Sequence, residues 1–159
     1  MHPTAEAFED AARADHGIDV EVHEFDEGTK TAAEAAEAIG CDTAQIASSL
    51  AFDVGGDLVV VVTSGANRVS ERKLGALRDV PSDEVSMADA GRIKATLGWS
   101  IGGVPPFCHE TDVPTYLDET LTEFDTVWAA AGTPDAVFPI APERIREIAG
   151  ATVVDIRVE

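Results

Sequence analysis

The chain predicts an α+β fold, a single mixed and mostly antiparallel sheet surrounded by helices. Three observations carry this expectation. Two long apolar runs, QIASSLAFDV (45–54) and DLVVVVTS (57–64), flank Gly55-Gly56, the strongest hairpin signal in the sequence. Capped helical segments are interleaved with strand-like ones, but without the strict alternation of a doubly wound parallel sheet. No internal repeat, linker or low-complexity stretch divides the chain, whose 159 residues, 45% of them apolar, suffice for one substantial core. One domain over residues 1–159 is expected.

Each element has a local reason. Residues 3–14 read as a first helix opened by Pro3, and VEVHEF (20–25) alternates as a half-buried strand. Thr31 is placed to cap a helix that ends at Gly40, a C′ position suited to glycine. The 45–64 hairpin forms the expected centre of the sheet. Ser70 and Ser86 each open a helical segment; Ser86 with Asp89 three residues on approximates a capping box, and Gly98 closes that helix. Strands are expected around 113–117, 126–130 and 136–140. The helix over 141–149 has Pro142 near N1 and Gly150 after its end, and TVVDIRV closes the chain as a strand.

Thirty acidic residues stand against 11 basic ones, only three of them lysines (Lys30, Lys73, Lys94), for a net charge of −19. Self-repulsion of that size costs stability in dilute buffer. It is screened near molar salt, where the Debye length is about 3 Å, and the composition fits a salt-adapted proteome. A basic partner is the alternative reading, but the acids are spread along the chain and form no tail-like block. Residues 68–94 break the pattern: Arg68, Arg72, Lys73, Arg78, Arg92 and Lys94 face five acids, which reads either as the landing site of a polyanion or as ordinary solvated helix faces. The first residues lack the basic and apolar regions of a leader, and no apolar run approaches the roughly 20 residues of a membrane span, so a soluble, cytoplasmic protein is expected. Cys41 and Cys108 are too few for a disulfide framework and sit in no ligand cluster.

The most informative string is GWSIGGVPPFCH (98–109). Adjacent glycines let a backbone approach a ligand closely, while Pro105-Pro106 stiffens the turn and removes two N–H donors. Such a loop can aim its remaining amides at a carbonyl or phosphate. Taken alone, such a string is more often a structural turn than a ligand loop, and His109 more often a packed or surface histidine than a catalyst.

Four separated strings, TAAEAAEAIGCDTAQIASSLAF, VVVVTSGANRVSERKLGAL, GWSIGGVPPFCH and VWAAAGTPDAVFPIAPERIREIAGATVVDI, together resemble the YbaK and prolyl-tRNA-synthetase-associated editing family over about residues 30 to 156. The resemblance implies a single α+β domain, without metal or organic cofactor, that hydrolyses the ester between an amino acid and the terminal adenosine of tRNA. Its known members clear small mischarged amino acids, often from tRNA specific for proline. By the same resemblance Gly102, Gly103, Val104, Pro105 and Pro106 hold and orient the ester, and His109 matches the histidine that follows this loop, with Cys108 in place of the usual glycine. Thr63, Ser64, Asn67 and Arg68 fall in the segment bordering the family's pocket. The implied partners are a tRNA acceptor end and an aminoacyl-tRNA synthetase.

Ser48 departs from the pattern, because family members usually carry a lysine there. Serine has no charge to offer, so either another group supplies it, or the site works by positioning, or hydrolysis has been lost. Three readings therefore stand: an editing deacylase, a binding module for acceptor ends, and an unrelated thiol hydrolase using Cys108 and His109.

Overall fold

The computed structural model describes residues 2–25 and 31–159. In chain order its elements are α1 (Pro3–His16), β1 (His23–Glu24), α2 (Ala32–Ile39), β2 (Ile46–Val54), β3 (Asp57–Ser64), α3 (Glu71–Leu77), β4 (Val85–Met87), α4 (Ala90–Leu97), β5 (Thr115–Asp118), β6 (Val127–Ala130), β7 (Ala136–Ile140), α5 (Pro142–Ala149) and β8 (Thr152–Val154). The strands form one sheet in the order β1-β7-β6-β2-β3-β5-β8, with β4 also on β2. Four pairings are antiparallel (β1/β7, β2/β3, β2/β4, β6/β7) and three are parallel (β2/β6, β3/β5, β5/β8). The α+β architecture expected from the sequence is the one observed, with the β2–β3 hairpin at its centre.

Helices cover both faces, which is why β3 reads as an unbroken apolar run rather than an alternating one. Val60 and Val62 point into the larger core with Phe8 of α1, Ile93 and Leu97 of α4, and Ile145 of α5. Val59 and Val61 point the other way, against Leu74 of α3. Beside them on that second face, Ala35 and Ala36 of α2 pack on Ile46, with Trp128 against the same cluster.

Several local expectations hold. Thr31 caps α2 through the Glu34 amide, Ser70 caps α3 through that of Lys73, and Gly40 and Gly150 end their helices in the left-handed conformation. Others are corrected. Ser86 does not start a helix: it lies in β4 opposite Asp53, and Asp89 caps α4 by accepting the Arg92 amide at 2.8 Å. Val85 packs in the core beside Phe52 and Val54, so pairing along the β2 edge overrides the capping-box signal. The strand expected over 20–25 is reduced to His23–Glu24, paired with Val137 and Ala136 of β7. The C-terminal strand is Thr152–Val154, followed by a single Val69–Arg157 bridge.

Candidate active site

The site begins as a gap in the sheet. The edge of β2 away from β3 is covered by β6 at Ile46 and Ala47 and by β4 from Phe52 to Val54, and among the described residues no strand pairs with Ser48 to Ala51 on that side. The Ile46 carbonyl accepts from Gly65 on the β3 side, so odd-numbered residues turn their N–H and C=O groups to the open edge. The Ala51 carbonyl is taken there by the Ala88 amide at 3.0 Å. Ser49 points its peptide groups into the gap.

A cavity of about 250 Å³ occupies this gap and is lined from both faces of the sheet. Ser48 stands on the α2 side, with Thr31, Ala35, Ile46 and Trp128; Ser49 stands on the opposite side, with Ala47, Ala51, Ile93 and Val104. Met87 and Ile101, each 51% exposed, border the opening. Among the described residues none that lines the cavity is charged.

The third wall is the 98–109 loop, which is held firmly. Gly98 ends α4 in the left-handed region, and the Gly103 amide donates to Ser100 C=O at 3.0 Å. Trp99 Nε1 donates to Cys108 C=O at 2.9 Å, and His109 Nε2 bonds Pro105 C=O at 2.8 Å. Phe107 is buried against Phe8 and Phe138. Gly102, at φ +88°, and Val104 line the cavity, and among the described residues neither amide has a hydrogen-bond acceptor. Gly103 lies against the 132–133 backbone, where an added Cβ would come 2.7 Å from Thr133 Cα and 2.8 Å from Gly132 O.

A family model for the aminoacyl-tRNA editing domain matches residues 26–148. This chain belongs to that family. It is similar in sequence to the uncharacterised protein YwhH of Bacillus subtilis (strain 168), 31% identical over 134 residues, 84% of this chain and 83% of that one. Among solved structures it is similar to a candidate trans-editing enzyme for prolyl tRNA synthetase, with a TM-score of 0.93 and 34% identity over 100% of this chain and 99% of the other. It is also similar to the hypothetical protein APE2540, with a TM-score of 0.82 and 25% identity over 94% and 98% of the two chains. The family gives the chain an aminoacyl-tRNA editing role.

Within this editing domain the expected site residues separate into groups. Ser48, Gly102 and Val104 meet at the cavity, with Gly103 immediately behind. Pro105 and Pro106 are buried behind the loop and do not line it. His109 faces a different cavity of about 500 Å³ beside Asp15, His16 and Asp112. Burial holds its imidazole below the usual histidine range, against the opposing pull of the Pro105 carbonyl and Asp112. Cys108, at φ +64°, has its thiol pushed up to about 12, by burial first and Asp15 second. A thiol so far from ionisation, next to a histidine whose Nε2 is occupied, is no nucleophilic dyad.

Thr63, Ser64 and Asn67 are committed elsewhere. The fully buried Asp118 Oδ2 accepts from Thr63 Oγ1 (3.1 Å), the Ser64 amide (3.0 Å) and Asn67 Nδ2 (2.9 Å), while its Oδ1 accepts from the Thr120 amide (3.0 Å). These groups tie β3 to β5 instead of bordering the cavity. Arg68 is exposed in a separate cleft with Arg72. Sequence reasoning missed Ser49 and Asp118. The signal for Ser49 was two adjacent serines inside an otherwise apolar strand, which must face opposite sides of a sheet buried on both. Among the described residues no group of three or more His, Cys, Asp or Glu is placed to hold a metal ion, and no helix is long and apolar enough to cross a membrane.

Proposed function

We propose that this editing domain is a cytoplasmic deacylase. It hydrolyses the ester joining a small amino acid to the terminal adenosine of a mischarged tRNA, with tRNA specific for proline the first candidate. The observation that carries the proposal is the cavity itself: a recess that is uncharged among the described residues and bordered by the Gly102 and Val104 amides, which have no acceptor among those residues, on a closely packed loop.

An aminoacyl ester is already activated, so positioning accounts for much of the chemistry. Water adds to the ester carbonyl, the negative charge that develops on its oxygen is met by loop amides, and collapse releases the amino acid and the ribose hydroxyl. Such donors act strongly because they are fixed before the charge appears. On this reading Ser48, which lines the cavity, orients the ribose or the water. Sparing of the cognate product then rests on shape rather than size, because a recess of about 250 Å³ has room for side chains larger than proline's. The whole chain, residues 1–159, acts as one editing unit on this reading, with the acceptor end and its synthetase as partners. Arg68 and Arg72 lie outside the cavity and serve, if anything, the tRNA backbone.

A second reading, a module that binds acceptor ends without turnover, is favoured by Ser48 standing where the family usually has a lysine. A panel of mischarged tRNAs incubated with the protein in molar potassium chloride separates the two. Release of at least one small amino acid supports the deacylase, and retained binding without any release supports the module.

A further inference from the structure

Trp128 is half-buried, and the exposure it keeps belongs to its indole. Its backbone is enclosed in the sheet, paired with Ile46 of β2 on one side and Pro139 of β7 on the other. The ring lies on the α2 face, against the cluster of Ala35, Ala36 and Ile46, and Trp128 lines the cavity with Ser48 and Thr31. His23 meets it edge to face, with ring centroids 5.2 Å apart and planes at 75°, which limits its rotation. The Trp99 indole N–H is spent on Cys108 C=O, whereas that of Trp128 has no acceptor among the described residues and stays open to water. Among the described residues that line the cavity, Trp128 is the one aromatic side chain.

We infer that the Trp128 indole is the platform on which a purine base stacks at this site. The terminal adenosine then occupies the α2 face of the cavity, and the aminoacyl group the side of the Gly102 and Val104 amides. The inference rests on the deacylase reading above for the identity of the base, and on the exposed ring for its chemistry. A base presents a flat π-face that an aromatic plate matches, and the other side of the gap offers only Ala47, Ala51, Ile93 and Val104. Ile46, opposite Trp128 in the register, and Ser48 share the α2 face about 7 Å apart, so a base held by the indole brings its ribose toward Ser48. Stacking also suits a chain of net charge −19, because contact between flat apolar faces escapes the salt screening that weakens phosphate pairing. An ammonium group is likewise attracted to an indole face, so the experiment includes one.

The test is fluorescence, since the chain has two tryptophans and Trp99 is only 8% exposed. In molar potassium chloride, with excitation beyond the adenine absorption band, adenosine 5′-monophosphate should quench wild-type emission saturably, uridine 5′-monophosphate much less, and alaninamide not at all. Trp128→Phe should lose the response. In deacylation assays Trp128→Leu should raise KM for the mischarged tRNA by about tenfold, with kcat changed by less than about threefold, stacking of one base being worth about 5- to 150-fold in affinity. Trp128→Phe should recover most of that loss. Absence of saturable quenching in the wild type overturns the inference whatever the variants do, as does equal quenching of Trp128→Phe, which assigns the response to Trp99. Quenching by alaninamide in preference to the nucleotide also overturns it, giving the ring to the amino group. Saturable quenching by the nucleotide without hydrolysis of any mischarged tRNA supports the Trp128 assignment while removing the deacylase reading; hydrolysis by Trp128→Leu at the wild-type KM removes the assignment and leaves that reading standing.

Discussion

Replacing Gly103 by alanine should unfold the protein earlier rather than merely block its cavity. The added Cβ would stand 2.7 Å from Thr133 Cα, 2.8 Å from Gly132 O and 2.9 Å from Gly132 C, all backbone atoms that cannot rotate aside. Restoring ordinary carbon contact, about 3.5 to 4 Å, requires the loop and the 131–134 turn to part by about 1 Å. Little free space surrounds that turn, since a Cβ built on Gly132 would itself come 2.9 Å from Thr4 O and 3.0 Å from the Trp99 ring. Overpacking of this kind costs about 1 to 3 kcal/mol, and the upper half of that range applies because backbone meets backbone. For a chain of this size the melting temperature should fall by about 5 to 10 °C. Gly102→Ala is the internal comparison: its nearest new contact is Pro134 Cγ at 3.4 Å, leaving only the φ of +88° to penalise it, about 1 to 2 kcal/mol. Thermal unfolding followed by circular dichroism in molar potassium chloride reads both. A Gly103→Ala protein that melts within about 1 °C of wild type, or above Gly102→Ala, would refute the packing argument.

Two further predictions concern groups away from the cavity. Asp118→Ala leaves the Thr63, Ser64, Asn67 and Thr120 donors without their acceptor, so it should cost at least about 3 kcal/mol, measurable as a large drop in melting temperature; Asn67→Ala should cost clearly less. Because burial lowers the His109 pKa in the folded protein, the unfolded chain binds the proton more readily. This stability contribution is present above about pH 6.5 and is lost as the pH falls through the folded pKa. Melting temperatures recorded from about pH 7.5 down to about 5.5 should therefore decline for wild type more steeply than for His109→Gln, and parallel curves would contradict the assignment.

Much of the fold was legible because its signals are local. Gly55-Gly56 between two long apolar runs specifies the central hairpin, and Thr31, Ser70, Gly40 and Gly150 mark helix ends through groups within a few residues of themselves. Where distant partners decide, the sequence misled. Ser86 carries a helix-start pattern, yet the uncovered β2 edge and the core around Val85 draw it into a strand. The site followed the same division. Its Gly-rich loop was readable as a motif, but that Gly103 is a packing residue, that His109 turns to another cavity, and that Thr63 and Asn67 are spent on Asp118 all depend on contacts more than 20 residues away in sequence. Ser49 lay beside the residue that drew attention, Ser48, and both line the cavity from opposite faces of the sheet.

The most direct measurement is the release of amino acid from proline-specific tRNA charged with serine, alanine or proline, followed in potassium chloride from about 0.2 M to above molar concentration. Affinity driven by phosphate contacts falls steeply with salt, whereas a recess that grips one adenosine and one small aminoacyl group by shape and hydrogen bonds is much less screened. The account predicts release of a small non-cognate amino acid that persists at molar salt, with the prolyl ester spared. Equal hydrolysis of the prolyl ester, or activity that collapses toward molar salt, would contradict it.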